Sequence, residues 1–266
     1  MIIDFHTHVF PDALAPKAGA SLSATAGFPM FSDLTVAGQL AVMAEDGIDR
    51  AVVLNTVTNT RQVGKVNAFA LETAAKFPTL SVFASVHPLG EDPVGMLKAM
   101  YAQGIRGLKL HPDYLGIPFD DPVYRPVLKA ASELQIPVVI HAGFDPVSPQ
   151  KIHAAPKTIR KVIGEFPELI LVCAHMGGMT LWEEVLEELC GRKVYFDTAM
   201  CSERTGMTAA MGKALVSAHG ADRILFGSDM PWARPSEILA FLRTWGLTEK
   251  ETEAILWQNG AALLHI

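Results

Sequence analysis

The chain alternates short apolar runs with longer stretches that carry a helical pattern of apolar and polar positions. The short runs fall at 2–6, 50–55 (RAVVLN), 80–86 (LSVFASV), 105–110 (IRGLKL), 137–141 (PVVIH), 169–174 (LILVCA), 193–198 (KVYFDT) and 223–228 (RILFGS), and their β-branched content predicts strands. Helices are predicted near 35–46, 60–77, 93–103, 122–135, 157–166, 180–190, 206–219 and 235–245, with a further helix near 248–257 and a terminal turn over 259–265. Asp33 or Thr35, Asp121, Thr180 and Ser236 are the expected caps, with Pro93, Pro122 and Pro235 near first turns. Gly47, Gly104, Gly164 and Gly220, with the Phe-Pro pairs at 77–78 and 166–167, mark the stops.

Eight strand–helix units in a chain of this length predict an α/β fold, a single (β/α)8 TIM barrel forming one domain over 1–266. The rival is a doubly wound open sheet, which would usually carry a Gly-rich phosphate loop after its first strand. That place holds His-Thr-His-Val-Phe-Pro, so nucleotide binding is disfavoured. Segment 10–34, rich in Ala, Gly, Pro and Ser, reads as a long loop after strand one, either a lid and pocket wall or plain surface.

Composition narrows the function. A net charge of -6 and a pI near 5.8 argue against nucleic acid and anionic membranes as partners. Cys173, Cys190 and Cys201 are odd in number and lack CxxC spacing, which suggests a reducing compartment and no disulfide framework. Cys201 is read as a packing residue ahead of a reactive thiol. There is no basic leader and no apolar stretch of membrane-spanning length, so the expectation is a cytoplasmic protein. The expected partner is a small-molecule substrate, with a homodimer as an option.

Chemistry collects at the strand ends, where barrels of this kind place their sites. They carry His6 and His8, Asn55, His87, Lys109 and His111, His141, His175, Asp197 and Asp229; His153 and His265 lie elsewhere. Strand alternation turns His6 and His8 to one face, forming half a metal site. Each residue has a bland reading too: a strand-end histidine can be structural, and Asp229 can cap a turn. Their joint placement on several strands of one barrel favours a site.

The segments MIIDFHTHVFP, GLKLHP, PVVIHAG, AHMGG, ILFGSDMPW and ILWQNGAALL resemble the amidohydrolase superfamily, in particular its amidohydrolase-2 branch. That branch also includes aminocarboxymuconate-semialdehyde decarboxylase-like enzymes. The resemblance implies that His6, His8, His141 and Asp229 hold one divalent metal, with His175 a catalytic acid/base beside it. Imidazoles and a carboxylate suit Zn2+, with Mn2+, Fe2+ or Co2+ as substitutes. Asp229 would take the proton of a water acidified by the metal. In binuclear members of the superfamily a strand-four lysine is carboxylated and bridges two metals; the one-metal reading, preferred here, leaves Lys109 as a cation for a substrate carboxylate. His111 shares that strand face, and Arg234 is a candidate substrate clamp or a surface charge. The leading expectation is hydrolysis of an amide, lactone or ester in a small carboxylated substrate. The alternatives are non-oxidative decarboxylation of an aromatic or muconate-like acid, and a non-catalytic ligand-binding barrel.

Overall fold

The computed structural model describes residues 1–266. Nine strand segments form the sheet: β1 (Ile3–Thr7), β2 (Arg50–Val53), β3 (Leu80–Val82), β4 (Ala84–Ser85), β5 (Leu108–Leu110), β6 (Val138–Ile140), β7 (Leu171–Cys173), β8 (Tyr195–Asp197) and β9 (Ile224–Leu225). All pairings are parallel and follow chain order, β1-β2-β3 and β4 through β9. Strands β3 and β4 are one predicted strand interrupted at Phe83. Phe83 N–H donates to Val53 O at 3.0 Å and Ala84 N–H to Gly107 O at 2.9 Å, so the interruption joins the two sheets. The Phe83 ring turns inward over Gly107, where a Cβ would lie 2.3 Å from the ring. Glycine is the residue that this approach admits.

Closure comes from the two ends of the chain. Phe5 N–H donates to Phe226 O at 2.7 Å, Asp229 N–H to His6 O at 2.8 Å and His8 N–H to Met230 O at 2.8 Å. Asp4 reinforces the same seam. It accepts Ser228 N–H and Ser228 O–H at 2.9 and 2.5 Å, and His6 N–H at 3.2 Å. The barrel is therefore a ring of eight strands, and its strand ends define one mouth.

The core has two layers. Ile3, Phe5, Val52, Leu54, Phe83, Val139, Val172 and Leu225 fill the barrel, together with Ala261 and Leu263 from the C-terminal helix Asn259–Leu264. The outward-facing alternate positions, such as Ala51, Val53, Val138, Leu171 and Phe196, pack under the surrounding helices.

The predicted helices are present, with shifts at their ends. Thr35 and Asp121 cap as expected, but Leu181 and Arg234 occupy the cap positions assigned to Thr180 and Ser236. Thr180 takes a left-handed conformation, and Ser236 gives its N–H to Asp46 at 2.9 Å. The long loop of 10–34 contains a helix, Ala15–Ala26. Alanine has the highest helix propensity, and Pro16 sits in the first turn, where proline is tolerated. The helix buries just Ala15 and Gly19, so it lacks the apolar stripe by which helices are read from sequence. Cys201 is buried and its thiol is pushed well up by burial, as a packing residue's would be. No helix is long and apolar enough to cross a membrane.

His219, on the helix Ala209–His219, packs flat on Phe196 at 4.0 Å and pairs through Nε2 with Val194 O at 3.0 Å. Burial lowers its pKa to about 4. The unfolded chain binds a proton here near the ordinary histidine value, so this residue's contribution to stability is full above pH 6.5 and lost as the pH falls toward 4. His219→Gln should lower Tm at pH 7 by about 2–4 °C and make the fall between pH 7 and pH 4.5 shallower than in the parent. Thermal melts at the two pH values check this; an unchanged slope contradicts it.

Candidate metal centre

Three predicted ligands converge at the closing seam. His8 Nε2 lies 3.0 Å from Asp229 Oδ1, and His6 Nε2 lies 3.4 Å from the same oxygen. Their ligand atoms all fall within 4.8 Å of one another. Asp229 reaches this position with φ of +71°, a conformation that non-glycine residues adopt at a cost of about 1–3 kcal/mol. Gly227, two residues earlier in the segment that follows β9, makes room. A Cβ there would stand 2.9 Å from His6 Cβ and 3.5 Å from Asp197 Cβ.

Hydrogen bonds fix the protons on both imidazoles. His6 Nδ1 meets Asp197 Oδ2 at 2.8 Å, and His8 Nδ1 meets Leu54 O at 2.9 Å. A carboxylate and a carbonyl can accept but not donate, so each Nδ1 carries the hydrogen. Burial lowers the pKa of both rings and favours the neutral forms. Two Nε2 lone pairs then face one carboxylate oxygen, and neither ring has a proton to give it; the nearest donor is Lys109 Nζ, 3.4 Å from His6 Nε2. The two imidazoles and the carboxylate fit a divalent cation.

The carboxylates differ in what they bond. Burial would raise the Asp229 carboxyl, yet positive charge on the rings of His6, His8 and His175, when they are protonated, holds it well below the ordinary range. Its Oδ1 faces the imidazoles and its Oδ2 has no hydrogen-bond partner. Asp197 is buried, but pairing with His6 and His175 keeps its carboxyl below the usual value. Burial raises Asp4 to about 7, against the lowering effect of the Ser228 bonds.

His175 takes φ of +60°, followed by Met176 at +52°. This bend brings its ring to 5.5 Å from that of His6 and 4.7 Å from that of His141, centroid to centroid. Its Nδ1–H donates to Ala199 O at 3.0 Å, and its Nε2 meets His141 Nδ1 at 3.0 Å. His141, the fourth predicted ligand, stands one ring away from the other three. Its Nε2 faces Phe144 O at 3.2 Å and Asp145 Oδ2 at 3.6 Å.

A second group, His111, His141 and Asp145, also gathers three ligand atoms within 4.8 Å. Its protons suit a cation less well. His111 Nδ1 accepts Tyr114 N–H at 3.3 Å, so the hydrogen of the neutral ring sits on Nε2, directed at Asp145 Oδ2 3.5 Å away. His111 is also stacked between Tyr114 and His141, at 3.9 and 4.4 Å. Its place is in this ring stack and at the cap of the short helix Pro112–Leu115.

Lys109 is fully buried, and its Nζ lies 3.4 Å from His6 Nε2. Burial lowers its pKa to about 8, opposed by Asp229, Asp197 and Asp145. Arg234 is a surface charge and not a substrate clamp. Its guanidinium donates to Asp46 at 2.9–3.1 Å and to Glu45 at 2.5 Å, both at the end of the helix Val36–Asp46. It ties that helix to Pro235–Arg243, and a guanidinium already holding two carboxylates is not a substrate clamp. His87 accepts Leu89 N–H at 3.2 Å within its turn.

Several contributors escaped the sequence reading. Asp145 stands four residues after His141 in a loop, where no periodicity marks it. His153, set aside as a loop residue, pairs through Nδ1 with the buried Asp113 at 2.9 Å and ties the loops after β5 and β6. Gly227 could have been noticed as the glycine two residues before Asp229.

The family model described as Amidohydrolase matches residues 3–266. The chain belongs to this family. No curated protein matches it in sequence. Solved structures match in fold at low identity. A TIM-barrel protein from Bordetella bronchiseptica is 20% identical with a TM-score of 0.77, covering 99% of this chain and 98% of that one. A probable 2-pyrone-4,6-dicarboxylic acid hydrolase from Acinetobacter baumannii is 20% identical with a TM-score of 0.70, covering 100% and 99%. A dihydroxybenzoic acid decarboxylase from Polaromonas sp. JS666, with bound manganese and the inhibitor 2-nitroresorcinol, is 15% identical with a TM-score of 0.73, covering 99% and 96%.

The convergence predicts an order of effects on metal binding. His6→Ala and His8→Ala should each weaken divalent-metal affinity by more than the about 10–100-fold typical of losing an outer partner, while His175→Asn should leave it nearly unchanged. Chelator competition measures this, and equal losses in all three variants would contradict it. Gly227→Ala should lose metal with His6, because its new Cβ displaces that residue.

Proposed function

We propose that the chain is a metal-dependent hydrolase that cleaves an amide, lactone or ester bond of a small carboxylated substrate. His6, His8 and Asp229 hold the ion, with His141, one ring away, as the fourth ligand; zinc suits the set, and manganese, iron and cobalt are the substitutes. When bound, such an ion supplies Lewis acidity toward the substrate and an acidified water. The observation carrying the hydrolytic reading is the free Oδ2 of Asp229. Asp4 and Asp197 have both oxygens engaged, so Asp229 is the carboxylate of the three with capacity to take a proton from water.

His175 supplies the complementary proton traffic. Its Nδ1–H is anchored on Ala199, which leaves Nε2, next to His141, as the nitrogen through which a proton enters or leaves. The buried Lys109 ammonium, on β5 beside His6, binds a substrate carboxylate as a point charge. The Acinetobacter neighbour's dicarboxylic acid substrate agrees with that assignment.

Decarboxylation of an aromatic or muconate-like acid is the second reading, favoured by the manganese-bearing Polaromonas neighbour. There Lys109 and the ion would hold the carboxylate, and a carbon would be protonated in place of water attack. A screen of lactones, N-acyl compounds and aromatic acids, with carbon dioxide detection, separates the two. Ring opening or acyl cleavage without carbon dioxide is expected; stoichiometric carbon dioxide overturns hydrolysis. With the substrate found, His175→Asn should lower kcat by about 10²–10⁴-fold with metal retained. Lys109→Ala should retain metal and mainly raise KM, whereas loss of metal and turnover together would identify a carboxylated, bridging lysine.

A further inference from the structure

We propose that Asp197 is the positioning residue that makes His6 a metal ligand, by dictating which nitrogen of that ring bears its hydrogen. This rests on the reading of His6 as a ligand. Asp197 is completely buried at the end of β8, and its two oxygens do separate work. Oδ2 accepts from His6 Nδ1 at 2.8 Å. Oδ1 accepts the backbone N–H groups of His175 at 2.9 Å and Ala199 at 3.1 Å. The residue's own carbonyl accepts Met176 N–H at 2.6 Å. One side chain thus sets the tautomer of His6 and helps to hold the left-handed bend that presents His175.

The two oxygens are not interchangeable in a variant. Backbone N–H groups can only donate, so in Asp197→Asn the amide oxygen must stay on His175 and Ala199. The amide NH2 is then left facing His6 Nδ1, and it can only donate. His6 Nδ1 must become the acceptor, and the ring's hydrogen moves to Nε2, the nitrogen that faces Asp229 and the proposed ion. The lone pair needed for the metal is lost while side-chain volume and backbone bonds are kept. A purely structural Asp197–His6 bond would set the same tautomer without tying it to zinc affinity, so the two must change together.

The experiment combines nitrogen-15 NMR of the histidine rings with chelator competition for zinc, using parent and Asp197→Asn protein. In the metal-depleted parent, His6, assigned by comparison with His6→Gln, should be protonated at Nδ1. In Asp197→Asn it should be protonated at Nε2, with zinc affinity lowered by at least about 10–100-fold and the thermal melt still cooperative. Unchanged tautomer and affinity in the variant overturn the proposal. If the variant fails to fold, the parent spectrum decides alone: His6 protonated at Nε2 overturns the proposal, and at Nδ1 supports it. A parent that binds no zinc yet shows His6 protonated at Nδ1 contradicts the metal reading and leaves the Asp197–His6 assignment standing.

Discussion

Everything at the mouth depends on the first strand closing against the last. The bonds from Asp229 N–H to His6 O and from His8 N–H to Met230 O bring side chains from opposite ends of the chain into one cluster. Strand alternation then decides which residues meet. At the end of β1 and in the segment that follows β9, the inward positions carry the imidazoles, the glycine that clears space for them, and the carboxylate. Asp4 and Ser228 latch the seam from beneath, so the element that closes the barrel also holds the site.

Three buried aspartates share that seam and do different work because their partners differ. Asp4 bonds a hydroxyl and two backbone N–H groups, and burial keeps its carboxyl near pH 7. Asp197 has both oxygens engaged, by one imidazole and two backbone donors, an arrangement suited to orienting and unsuited to moving protons. Asp229 keeps one oxygen free. Residue type alone would not separate them; the count of satisfied lone pairs does.

Much of this was legible in the sequence. The eight apolar runs, their parallel order and the strand-end cluster follow from periodicity, because strand and helix periods differ and a barrel is the simple way to bury eight such units. The single-barrel reading holds, as does the family to which the motifs pointed. What escaped was set by three-dimensional contact. The helix Ala15–Ala26 buries too little to show a stripe. Arg234 stands five residues after Asp229, yet its helix turns the guanidinium toward Glu45 and Asp46, acids that no local pattern associates with it. His141 keeps company with His175, His111 and Asp145 because the loop after β6 supplies Asp145 and Phe144 O, and a loop's course is not written in periodicity.

The central claim is that one divalent ion belongs at the closing seam, where neutral His6 and His8 face Asp229. Anomalous diffraction at the zinc edge, from crystals of zinc-loaded protein, tests it most directly. The account predicts a single strong peak coordinated by His6 Nε2, His8 Nε2 and Asp229, with His141 as the fourth ligand and Lys109 as a free ammonium outside the coordination sphere. A sole peak in the group of His111, His141 and Asp145 would contradict it, as would two peaks about 3.5–4 Å apart bridged by a carboxylated Lys109.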